Sequence, residues 1–94
     1  MPKNQLVTSD IAILGRVLEP AEPTFSPQAA RSILALDFRP WDRERMRDLA
    51  AKASAGALSA EEQTELANYE RVGHLLSLLK AKATVSLRAK RRSK

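Results

Sequence analysis

The stretch LSAEEQTELANYERVGHLLSLLKAKATVSLRAKRRSK, residues 58–94, decides the fold. It opens on Ser59, Ala60, Glu61 and Glu62. This is the order of a helix start: a serine oxygen accepts from the N–H three residues on, and the glutamate there reaches back to the serine N–H. Glu61, Glu62 and Glu65 crowd the positive end of the helix dipole, while cations fill its negative end. Apolar residues recur at Leu66, Tyr69, Val72, Leu76, Leu79 and Ala83, in steps of three and four, and Leu75 and Leu78 widen the stripe. No proline follows Pro40, so a helix of about 30 residues is predicted. A stripe that wide needs more than one neighbour. Leu66, Tyr69, Val72, Leu75, Leu76 and Leu79 are therefore expected to meet a partner, either a second copy or another protein. Beyond Ala83 the stripe thins to Val85 and Leu87 among cations. The sequence thus divides into a helical domain over residues 1–83 and a basic extension over 84–94 that projects from it.

Three shorter helices are predicted upstream. The first covers 11–18, capped by Ser9 or Asp10, with Ile11, Leu14 and Leu18 on one face and Val17 beside them. Its isoleucines and valine leave a strand open, and Gly15 weakens the helix. Pro20 and Pro23 impose an extended linker. Ser26 and Pro27 then read as a cap followed by proline at the first helical position, where the missing N–H has no partner to lose. This helix is expected over 27–36, burying Ala30, Ile33 and Leu34, with Phe38 packed beyond its end and Phe25 stapled to its first turn. A third helix starts at Pro40 or Trp41 and ends near Ala55, with Trp41, Met46, Leu49, Ala50 and Ala53 as its apolar side. Gly56 closes it, because glycine takes the left-handed conformation freely. The expected fold class is all-α: a small bundle of about four helices with a long C-terminal amphipathic helix and a basic tail.

Charge is unevenly distributed. Net charge is +5, yet residues 71–94 hold eight cations and no acid, whereas residues 1–70 hold eight cations against eleven acids. Such a dipole suits an acidic partner surface or nucleic acid at the C-terminal end. Lys80, Lys82, Arg88, Lys90, Arg91 and Arg92 are the candidate contacts. The segment lacks aromatics for base stacking, and the helix starting at Ser59 opens on acids that phosphate would repel. Any nucleic-acid contact is therefore expected to be sequence-independent and salt-sensitive.

The composition argues against most chemistry. There is no cysteine, so no disulfide framework and no thiolate metal site. His74 is the single histidine, with no paired nucleophile or acid in view, and reads as structural or solvent-facing. No serine or threonine lies in a glycine-rich elbow or phosphate loop. No catalytic, cofactor-binding or metal residue is expected, and the chain reads as a non-enzyme. Nothing approaches a membrane span, and residues 1–7 lack the apolar run of a secretory signal. Trp41 and Tyr69 read as core residues or as interface anchors. Gly73, in mid-helix, suggests close approach of another helix.

Four phrases together resemble a known group: Ile13-Leu14-Gly15-Arg16-Val17-Leu18-Glu19-Pro20; Ser26-Pro27-Gln28-Ala29-Ala30-Arg31; Leu58 to Gln63 with Glu65-Leu66; and Tyr69 to Leu76 followed by Lys80-Ala81-Lys82-Ala83. They are similar to short, uncharacterised all-helical bacterial proteins, some associated with neighbouring HNH-type endonuclease genes. The likeness covers nearly the whole chain and stops near Lys90. It carries no catalytic residue. It implies a bacterial, cytoplasmic, non-catalytic and antitoxin-like partner protein, with a nuclease or toxin as its partner. The expectation is a helical interaction or adaptor protein acting through its last helix. The alternative is a sequence-independent nucleic-acid binder using the basic segment.

Overall fold

The computed structural model describes residues 9–92, with side chains described through residue 89. It contains four helices: α1 (Asp10–Leu18), α2 (Pro27–Leu34), α3 (Pro40–Ser54) and α4 (Ala60–Arg92). There is no strand among the described residues. Residues 11–18, which the sequence left open between helix and strand, are helical.

Local chemistry sets the ends of these helices. Ser9 Oγ accepts from the Ala12 N–H and starts α1, and Ser26 Oγ accepts from the Ala29 N–H ahead of Pro27 and starts α2. α2 stops at Leu34 with Ala35 as its cap, short of the expected 36. α3 has no side-chain cap, and Pro40 occupies its first position. It ends in a Schellman turn: Ala57 N–H donates to Lys52 O and Gly56 N–H to Ala53 O, with Gly56 at φ +69°. The capping box forms at α4, where Glu62 N–H donates to Ser59 Oγ at 3.1 Å and Ser59 N–H donates to Glu62 Oε1 at 3.0 Å.

The described residues form two compact units, one of residues 37–73 and one of residues 9–36 with 74–92. α4 runs through both, so neither lies wholly before or after the other in sequence. This division differs from the expected boundary at Ala83.

In the 37–73 unit, α3 and the start of α4 are antiparallel. Asp42 meets Tyr69, Arg45 meets Glu65 and Lys52 meets Glu62, so one number falls as the other rises. Leu49 is fully buried in this seam. Burying such a side chain is worth roughly 1.5–3 kcal/mol. Phe38 packs edge-on against Tyr69, with ring centroids 6.1 Å apart. Trp41, expected on the apolar side of α3, is instead exposed, as is Ala50. The polar residues Asp42, Arg45 and Lys52 take the partner-facing positions beside Leu49.

In the other unit, α1, α2 and the later part of α4 leave Ala30 and Ala83 as the fully buried apolar residues among those described. Two small residues at the centre allow backbones to approach closely, but they bury little area. Leu34 and Val17, expected beside the core, are exposed.

Gly73 has a different neighbour from the one its position suggested. A methyl group placed there would meet the Phe38 ring at 3.9 Å, which is ordinary contact rather than a clash. The helix therefore carries a glycine that packing does not require. Gly73→Ala is expected to stabilise the protein by about 1 kcal/mol from helix propensity. Thermal unfolding followed by circular dichroism would then show a midpoint about 4–8 °C higher. A lower midpoint would mean that the Phe38 contact is tighter than the geometry indicates.

Candidate functional site

The six apolar residues expected at a partner interface are divided by the fold. Leu66, Tyr69 and Val72 lie in the 37–73 unit, and Leu75, Leu76 and Leu79 in the other. Five are half-buried within the chain, and Val72 alone is exposed, at 45%. Tyr69 is committed to the seam: its hydroxyl donates to Asp42 Oδ1 at 2.7 Å, which also raises the phenol above its ordinary pKa. The exposed large apolar side chains include Val17 at 73%, Trp41 at 68%, Ile13 and Leu36. Ile13 and Val17 are one turn apart on α1 and so share a face. The sequence reading set Val17 beside the Ile11–Leu14–Leu18 face and gave Ile13 no face. Only the packing of a nine-residue helix shows which of its sides is left over.

The basic residues fare unequally. Arg88 is exposed and Lys80 is half-buried. The side chains of Lys90, Arg91 and Arg92 lie outside the described residues. Lys82 is withdrawn from the surface, at 5% exposure. Its Nζ donates to Glu22 O at 2.9 Å and to Glu19 O at 3.2 Å, and it lies 5.2 Å from the centroid of the Phe25 ring. This corrects its assignment as a nucleic-acid or acidic-surface contact: its charge is spent on carbonyls and a ring inside the fold.

The geometry behind that clamp begins at the end of α1. Glu19 caps the helix in the left-handed region, at φ 47°, a conformation costly for a residue with a Cβ. The turn that follows brings the Glu19 and Glu22 carbonyls to one ammonium. Ser86, one turn beyond Lys82, completes the attachment. Its hydroxyl donates to Lys82 O at 2.8 Å and accepts from the Phe25 N–H at 3.1 Å. Phe25 therefore packs with Lys82 rather than serving only as a staple on α2. Burial on α4 continues through Ser86, and Ala21, Pro23, Val85, Arg88 and Ala89 line one shallow groove. The helix is thus packed through Ser86, three residues past Ala83; the side chains of residues 90–94 of the expected extension lie outside the described residues.

The 37–73 unit has its own electrostatic device. Arg45 pairs with both oxygens of Glu65, Nε to Oε2 and Nη2 to Oε1, each at 2.7 Å. Lys52 Nζ donates to Glu62 Oε2 at 2.5 Å. Glu62, expected as a cap, therefore serves the cap with one oxygen and α3 with the other. The Lys52 hydrogen bond, with the Ser59 N–H next, holds its carboxyl down at about 2. The Arg45 hydrogen bonds likewise lower Glu65 and raise Arg45. Asp37 and Arg43 form a further ion pair.

No group of three or more metal-ligating side chains converges among the described residues. No helix among them is long and apolar enough to cross a membrane. No protein-family model matches the chain, and no match was found among curated proteins or solved structures.

Two outcomes follow from these contacts. Glu62 is ionised in the fold well below its ordinary pKa of 4.5. The stability it lends is complete above that pH and is lost as pH falls from 4.5 toward about 2. Urea midpoints taken across this window should decline, and Glu62→Gln should flatten the decline. Equal slopes for the two proteins would place the acid sensitivity elsewhere. Lys82→Met keeps the packing stem but removes the donor from two carbonyls, and is expected to cost about 1–3 kcal/mol in denaturant unfolding. An unchanged midpoint would show that the clamp contributes nothing to the fold.

Proposed function

We propose that this chain is a non-catalytic helical interaction protein that binds a second copy of itself or another protein. The carrying observation is the exposed Ile13–Val17 face on α1 of a chain whose fully buried apolar residues, among those described, are Ala30, Leu49 and Ala83. Single exposed apolar residues are ordinary. A same-face pair on so short a helix, above so small a core, gains from being covered. Val72 gives the long helix α4 a smaller share in the same role. The bacterial, cytoplasmic and antitoxin-like character, and a nuclease or toxin as the partner, rest on the sequence resemblance alone.

The second reading is sequence-independent nucleic-acid binding through Lys80, Arg88 and the basic residues after them. Its support is the absence of any acid after Glu70. Lys82 takes no part in it.

Sedimentation at several concentrations tests the first reading. The wild-type chain should form larger species as concentration rises, and Val17→Glu should weaken this by about tenfold or more. Val17 is exposed, so the variant keeps its fold. Association equally strong with Val17→Glu and Val72→Glu would remove the Val17 and Val72 faces from the interface. Running the same preparations with nonspecific duplex across a salt series decides the second reading. A steep loss with salt supports it, and no binding at low salt ends it.

A further inference from the structure

Trp41 stands in the first turn of α3 with most of its surface in solvent. Glu44 and Asp48 follow at three and seven residues, so all three lie on one helix face. With Arg45 they line a shallow groove. The Arg45 guanidinium is already bound by both oxygens of Glu65. Arg45 and Glu65 offset each other, so Glu44 and Asp48, the latter also acting on Arg45, leave the groove net negative beside an indole. Carboxylates attract a cation, and an indole face holds one by its quadrupole. The same carboxylates repel phosphate.

The sequence carries the complement. Residues 37–73 hold eight acids and six cations, and the rest of the chain holds three acids and ten cations. Residues 88–94 alone contribute five cations and no acid, and Arg88 is exposed. We propose that the Trp41–Glu44–Asp48 groove receives the basic C-terminal segment, residues 88–94, of a second copy of this chain. The proposal rests on the interaction reading above, takes a second copy as the partner, and adds a site apart from the Ile13–Val17 face. The two surfaces differ, so the contact is heterologous: each copy offers a groove to one neighbour and a tail to the next. Such a contact builds rings or open chains rather than an isologous dimer. Being an ionic contact at the surface, it weakens as salt rises.

Two full-length variants test this by charge exchange. One carries Glu44→Lys and Asp48→Lys, and the other carries Arg88→Glu, Arg91→Glu and Arg92→Glu. Circular dichroism first confirms that each retains wild-type helicity. In sedimentation at low salt the wild type should associate and dissociate again near ~0.5 M salt. Each variant alone should be monomeric, because its groove and tail then share one sign. Mixed together they should associate, because each groove meets a tail of opposite sign. Trp41 is the single tryptophan, so its emission should change on mixing and report the groove itself. A wild type that is monomeric at low salt, or a mixture that stays monomeric, overturns the proposal. Association undiminished in both variants yet lost in Val17→Glu also overturns it, while leaving the apolar reading of α1 standing.

Discussion

The carboxylate of Glu62 joins two pieces of structure that the chain must place together. One oxygen accepts from the Ser59 N–H and fixes where α4 begins; the other accepts from Lys52 and ties that beginning to the end of α3. A capping box alone sets a helix start but not what lies beside it. The second bond adds the register. Once 62 faces 52, the antiparallel course carries 65 to 45 and 69 to 42, and each of those positions holds a complementary pair. Leu49 closes the seam from within. The hairpin is thus specified more by matched polar groups than by apolar area, which is why acid should loosen it.

The same helix then changes its role. At Lys82 and Ser86 it meets the 19–25 segment and holds that segment by its backbone. A buried ammonium is tolerable only because carbonyls and an aromatic face replace its water. The left-handed turn at Glu19 is part of the same arrangement, since it aims two carbonyls at one donor. With alanines at the centre and polar groups at the clamp, this unit leaves Ile13 and Val17 of α1 exposed.

Much of the fold was legible because it rests on local rules. Ser9, Ser26, Pro27, Gly56 and the Ser59–Glu62 box each act within four residues of themselves, so four helices and most of their ends follow from spacing. The partner-facing residues were not legible in the same way. Trp41 and Tyr69 were each read as core residues or interface anchors; Tyr69 is held by Asp42 within the chain, whereas Trp41 is exposed. Both are aromatics at helical spacing, and spacing cannot say which neighbour arrives.

By itself the sequence determined the three helices after Pro23, most of their limits, an uninterrupted last helix and a C-terminal excess of positive charge. These follow from dihedral preference, capping chemistry and formal charge, all properties of a residue and its near neighbours. Tertiary structure decided that Lys82 is a buried clamp rather than a surface cation, that packing runs past Ala83, and that Val17 and Trp41 stay outside. Those outcomes depend on contacts across 20 to 63 residues of sequence, as between Arg45 and Glu65 or Lys82 and Glu19. Burial of a side chain is a property of what is packed against it, and only the folded chain supplies that.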